Sequence, residues 1–232
     1  MVRIKICGCR KPDDAVAAAE AGADYAGVVF AGRVRRVTPQ QAARTLAAVL
    51  PSLGGVGVFV DASAADVLSV RDVARFDVAQ LHGSEPPALC ALLRGEGLQV
   101  WKALRPRGAA ELVAGLDLYA GVVDAILVEG FSKEAAGGTG TGFPIEWLAS
   151  VRARFSDPDE APRPASQVQA PGSRVPERPR FVLAGGLDPD NVADAIRRTH
   201  PSIVDVSSGV ESAPGEKDPE LIQRFALAVR SS

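Results

Sequence analysis

The 232-residue sequence is poor in reactive and aromatic side chains, with 3 cysteines, 2 histidines, 1 methionine, 2 tryptophans and 2 tyrosines. An odd cysteine count without a leader-like start argues against a disulfide framework and for a reducing compartment. Cys7, Cys9 and Cys90 lack a second Cys/His cluster that would complete a metal site, and His82 and His200 lack ligand spacing. No metal is therefore expected. No uncharged apolar run reaches the roughly 18 residues of a membrane span. The start Met1-Val2-Arg3-Ile4-Lys5 reads as a strand, not a signal peptide, because it has no apolar core or cleavage pattern. A cytoplasmic protein is expected, with no membrane partner. The formal net charge is -2 and the pI is near 5.8, and basic residues cluster only at Arg33, Arg35 and Arg36. Nucleic acid is thereby disfavoured as a partner.

Hydrophobic residues make up 47% of the chain, and their arrangement is regular. Apolar strand-like runs occur near Val2–Cys7, Tyr25–Phe30, Gly55–Val60, Val78–Leu81, Gln99–Leu104, Ala125–Val128, Arg180–Ala184 and Ile203–Val206. Helix-like runs follow near Asp13–Ala21, Pro39–Val49, Ala64–Arg75, Glu85–Arg94, Ala109–Ala114, Ile145–Arg154, Asp188–Thr199 and Pro219–Arg230. Runs such as Val56-Gly57-Val58-Phe59-Val60 are continuously apolar, as in strands covered on both faces. Successive βα units of this kind predict a single-domain α/β protein, a (β/α)₈ barrel spanning residues 1–232. An open doubly wound sheet is the alternative. The Gly-x-Gly-x-x-Gly that would favour it is replaced after the first strand by Cys7-Gly8-Cys9-Arg10. One segment, about 156–179, breaks the rhythm. It is rich in proline and polar residues and predicts a flexible insertion between helix 6 and strand 7, on the face away from the usual active site.

In such a barrel, chemistry sits at the C-terminal ends of strands. Those positions hold Cys7, Arg35, Gln80, His82, Glu129, Gly185, Gly186, Asp205, Ser207 and Ser208. Cys7 is either a small buried hydrophobe or a base or nucleophile. Glu129, after the apolar Ala125-Ile126-Leu127-Val128, is either a solvated rim carboxylate or an acid–base group. Asp205, between two valines, requires a partner or a function. Arg35 is either a solvated rim charge or a carboxylate ligand. Leu183-Ala184-Gly185-Gly186 and Val204-Asp205-Val206-Ser207-Ser208-Gly209 both end in small residues, and Gly137-Gly138-Thr139-Gly140 supplies a third small-residue loop. Small residues let backbone N–H groups approach an anion, so a phosphorylated small-molecule substrate is expected.

The ordered series Lys5-Ile6-Cys7-Gly8, Gly57-Val58-Phe59-Val60, Gln80-Leu81-His82-Gly83, Trp101-Lys102-Ala103-Leu104, Gly137-Gly138-Thr139-Gly140, Leu183-Ala184-Gly185-Gly186-Leu187 and Val204 through Glu211 resembles the phosphoribosylanthranilate isomerases of tryptophan biosynthesis. The resemblance spans nearly the whole chain apart from the insertion. It implies the barrel fold and an Amadori rearrangement of N-(5-phosphoribosyl)anthranilate to 1-(2-carboxyphenylamino)-1-deoxyribulose 5-phosphate, with no cofactor, by a monomer or homodimer. It implies Cys7 as general base and Glu129 as general acid, with Asp205, Gln80 and His82 near the substrate. Arg35 would face the anthranilate carboxylate, with Arg36 the alternative. The phosphate would lie among Gly137, Gly138, Gly185, Gly186, Ser207, Ser208 and Gly209. Two departures stand out: the acid of the family is usually Asp where this chain has Glu129, and the usual Ser-Pro before the arginine is missing. A related sugar-phosphate isomerase or epimerase, or a non-catalytic phosphate-binding barrel, are the alternative functions.

Overall fold

A computed structural model of the chain describes residues 1–130, 146–156 and 178–232. Parallel strands close into a barrel in chain order: β1 (Arg3–Cys7), β2 (Tyr25–Val29), β3 (Gly54–Phe59), β4 (Val78–Leu81), β5 (Gln99–Leu104), β6 (Ala125–Glu129), β7 (Arg180–Ala184) and β8 (Ile203–Val206). β8 pairs back onto β1, with Arg3 opposite Ile203 and Lys5 opposite Asp205. Closure satisfies the hydrogen-bonding edge that an open sheet would expose. The helices are α1 (Pro12–Glu20), α2 (Pro39–Ala47), α3 (Ala64–Ala74), α4 (Pro87–Gly95), α5 (Ala109–Tyr119), α6 (Glu146–Val151), α7 (Val192–Thr199) and α8 (Pro219–Arg230). Proline at the start of α1, α2 and α8 lies where an N–H would be unpaired anyway. Thr38 and Asp218 accept from backbone N–H groups to cap α2 and α8.

Strand side chains alternate between two cores. Inside the barrel, Tyr25, Val56, Val58, Val78, Trp101, Leu127, Val182 and Ile203 pack together. The Tyr25 and Trp101 rings meet edge to face at 5.0 Å. The intervening residues, such as Ile4, Ile6, Ala26, Ala79, Ile126 and Val204, face the helices in the larger outer core. Among the described residues, the barrel interior below its mouth is thus filled with these side chains.

α7 begins later than its apolar pattern predicts. The Asp188 side chain accepts from the N–H groups of Asp190 and Asn191, and Asn191 binds the Asp188 N–H and the Gly186 carbonyl. These local bonds form a turn in place of a first helical turn. A short antiparallel hairpin follows β8, made of β9 (Glu211–Ala213) and β10 (Glu216–Lys217). The Ser156 N–H binds the Pro179 carbonyl at 3.1 Å, so the two ends of the insertion meet. Residues 157–177 of that insertion lie outside the described residues.

Candidate active site

The C-terminal ends of the strands surround a cavity of about 460 Å³. Cys7 and Glu129, the last residues of β1 and β6, both stand on its wall, with Gln80, His82 and Asp205. Parallel strands delivered in one direction bring these distant positions to a single face.

Below the mouth lies a buried ion pair. Lys5 Nζ donates to Asp205 Oδ1 at 2.8 Å, with the Lys5 side chain fully buried. Burial alone would push Lys5 down, but Asp205 and Cys7 outweigh it and lift the ammonium to about 12. Burial pushes the Cys7 thiol up, and the Lys5 charge opposes that push. The site therefore favours the thiol, and a cation is at hand when the thiolate forms.

The opposite wall holds a hydrogen-bonded chain. Gln80 Nε2 lies 2.9 Å from His82 Nδ1, and His82 Nε2 lies 3.2 Å from Glu129 Oε2. An amide nitrogen only donates, so His82 Nδ1 accepts and its proton resides on Nε2, facing Glu129. Arg105 Nε donates to the same Glu129 oxygen. The His82 hydrogen bond, helped by Arg105 and against the opposing effect of partial burial, holds Glu129 at about 2. Glu129 is thus held as a carboxylate.

Arg35 also lines the cavity, held by Glu211 of the hairpin. Lys217 binds Glu211 Oε1 at 2.8 Å and the Ser207 carbonyl at 2.9 Å. Arg36, the alternative to Arg35, faces a separate small recess with Arg10, Lys11 and Glu216. Gly185, Gly186, Ser207 and Ser208 form the small-residue wall. Gly185 has φ +88°, a left-handed conformation that glycine adopts freely. The Ser207 hydroxyl is already committed to the Cys7 carbonyl at 3.1 Å. Gly209 packs on the Leu187 carbonyl, where a Cβ would overlap it. It shapes the loop behind the wall. Gly137 and Gly138 lie outside the described residues.

The geometry provides a wall of small residues, a thiol beside a buried cation, and a carboxylate beside an imidazole, all on one cavity. The sequence model of the N-(5'-phosphoribosyl)anthranilate (PRA) isomerase family matches residues 4–228. The chain belongs to that family. It is 41% identical over 226 residues to the N-(5'-phosphoribosyl)anthranilate isomerase of Citrifermentans bemidjiense, covering 97% of this chain and 95% of that one. Monomers of the dimeric phosphoribosylanthranilate isomerase of Thermotoga maritima superpose with a TM-score of 0.80 at 33% identity over 100% of both chains. A phosphoribosylanthranilate isomerase in complex with reduced 1-(o-carboxyphenylamino)-1-deoxyribulose 5-phosphate gives a TM-score of 0.79 at 30% identity, also over 100% of both. The chain is accordingly an isomerase of tryptophan biosynthesis that carries out an Amadori rearrangement.

Within this isomerase, sequence reading overlooked Lys5, Arg105, Glu211 and Lys217. Lys5 carried a signal, a charge in the apolar run Val2–Cys7 that matches the isolated Asp205. Glu211 and Lys217 lie in the stretch after β8 that carries the family resemblance, but no strand-end rule gave them a role, because their meeting depends on the hairpin that folds them together. Arg105 follows β5 immediately, at a position the strand-end rule covers.

Proposed function

We propose that Cys7 is the general base and Glu129 the general acid of the rearrangement, with His82 as the proton source for Glu129. The carrying observation is that Cys7 and Glu129 end two strands on one cavity, one beside the Lys5 cation and the other within hydrogen-bond reach of His82. Glu129 at about 2 has no proton of its own to give. A protonated His82 passes one through Nε2 to Glu129, which delivers it to the ribose ring oxygen as the C1–O bond breaks. The anilino nitrogen then forms an iminium with C1. The Cys7 thiolate removes the C2 proton, and the electron pair moves into a C1=C2 enaminol. Protonation at C1 and loss of the C2 hydroxyl proton give the aminoketose.

Gln80 suits both charge states of His82. Its Oε1 is buried without a hydrogen-bond partner among the described residues. An amide flip would present that oxygen to a protonated Nδ1. The reading assigns the phosphate to the Gly185–Gly186 and Ser207–Ser208 wall, with Gly137 and Gly138 completing it, and the anthranilate carboxylate to Arg35. A phosphorylated, carboxylated substrate does not cross a bilayer unaided, so the reading places the enzyme in the cytoplasm. It acts there as a monomer or homodimer.

The test is rescue of a tryptophan auxotroph lacking this isomerase. The parent chain restores growth. Cys7→Ala does not, yet it still binds reduced 1-(o-carboxyphenylamino)-1-deoxyribulose 5-phosphate, with kcat down about a thousandfold or more. Near-normal turnover by Cys7→Ala overturns the assignment of the base.

A further inference from the structure

We infer that Lys5 is a positioning residue for the reaction: its ammonium, held by Asp205, neutralises the Cys7 thiolate from below and sets how readily that thiolate forms. Residues 5 and 7 share the inner face of β1, one strand repeat apart. Gly27 of β2 stands opposite Cys7. A Cβ at Gly27 would lie 3.2 Å from Lys5 Cε and 3.3 Å from Cys7 Sγ, so both side chains converge on the space that the glycine leaves open. Lys5 is fully buried and gives one N–H to Asp205 Oδ1 at 2.8 Å. An ammonium has three N–H donors, so donors remain for the sulfur beside it.

The neighbouring charges divide into two sets. Lys5 of β1 and Lys217 of β10 favour the thiolate, whereas Asp205 of β8 opposes it. His82 and Glu129, across the mouth, act on Asp205 with opposite signs, and Arg35 couples to Cys7 through its guanidinium. Lys5 stays charged throughout the range in which a thiol titrates, because Asp205 and Cys7 hold it at about 12. The two partners of Lys5 therefore do different work. The cation makes a buried thiolate accessible, and Asp205 keeps it basic enough to take a carbon-bound proton. When the thiolate takes that proton, the trio of Lys5, Asp205 and Cys7 passes from one net negative charge to none. Neutralisation in a dry interior favours the forward step.

The catalytic consequence rests on Cys7 being the base, but the electrostatic coupling can be measured without turnover. The experiment follows iodoacetamide alkylation of Cys7, read by peptide mass, from about pH 6 to about pH 10 in the parent, Lys5→Met and the doubly neutral Lys5→Met/Asp205→Asn. Cys9 and Cys90 are fully buried whereas Cys7 lines the cavity, so the two serve as internal references for folding. Lys5→Met is expected to move the alkylation midpoint up by about one pH unit or more, a tenfold loss of thiolate at a given pH below it. The alkaline rise of kcat moves with it, while KM moves less. The double variant, free of an unpaired buried carboxylate, stays above the parent and below Lys5→Met. If Lys5→Met does not fold, the double variant decides. A midpoint at or below that of the parent in the folded double variant overturns the inference. A shifted midpoint with an unmoved kcat profile would instead overturn Cys7 as base while leaving the coupling in place.

Discussion

Arg35 and Glu211 meet through a two-bond fork, Nε to Oε1 and Nη2 to Oε2, both at 2.7 Å. The fork fixes a planar guanidinium on the wall of the cavity. Its anionic half belongs to the hairpin β9–β10, which Lys217 ties to the end of β8 through the Ser207 carbonyl. Glu211→Gln breaks the fork, because an amide nitrogen then faces a guanidinium donor. We expect KM to rise about tenfold, equivalent to about 1.4 kcal/mol of binding, with kcat within about twofold. Steady-state kinetics checks this, and an unchanged KM would show that Arg35 is held by something else.

The same carboxylate marks a pH limit on stability. Burial pushes Glu211 up, but Arg35, Lys217 and the Gly215 N–H outweigh it and hold it at about 2, against 4.5 ordinarily. The folded pKa is the lower one, so the stabilisation is complete above the unfolded pKa and is lost as pH falls through the folded pKa. The window runs from about pH 4.5 down to about pH 2, with a total on the order of 3 kcal/mol. Urea midpoints measured across that window should fall in the parent and fall less steeply in Glu211→Gln.

The length of Glu129 is expected to matter. Glu129→Gln removes the proton carrier and should lower kcat by about a hundredfold or more. Glu129→Asp withdraws the carboxylate by one methylene from His82, whose Nε2 it now meets at 3.2 Å. Misplacement by about an ångström can cost about a hundredfold, so the aspartate variant should lose activity even though the family usually has Asp there. Full activity in Glu129→Asp would mean that the site adjusts to either length.

The insertion enters and leaves the barrel at Ser156 and Pro179, whose backbones already share a hydrogen bond of 3.1 Å. Replacing residues 157–177 by a short glycine-containing link therefore closes a gap that is already closed in space. We expect kcat and KM within about twofold of the parent, since αβ connections lie on the far face from the chemistry. A large loss of turnover in a well-folded deletion would place the insertion at the site.

The strands were legible because each is covered on both faces and so reads as an apolar run. Four of them, β4, β5, β7 and β8, begin and end where the pattern predicts. Helix ends were less legible, because tertiary packing decides them. α5 runs on to Tyr119, past its predicted end at Ala114, where Leu116 and Tyr119 bury against the barrel, and Gly115 sits close to Leu104, where a Cβ would lie 2.9 Å away. Strand-end logic put Cys7, Gln80, His82, Glu129 and Asp205 at one end of the barrel, where they line one cavity. It could not find Glu211, whose role is created by a hairpin and not by a strand end. Nor could it show that Ser207 spends its hydroxyl on the Cys7 carbonyl.

Lys5 and Asp205 also face one another as register partners where β1 meets β8. They are 200 positions apart, so the first strand leaves the ribosome long before its last neighbour exists. A slip of one residue at this seam would turn Lys5 outward and enclose Asp205 without a counter-ion. A lone buried charge costs several kcal/mol, on the order of 3–5 when a partner is lost. A wrong closure of β8 on β1 is therefore penalised at whatever stage that join is made.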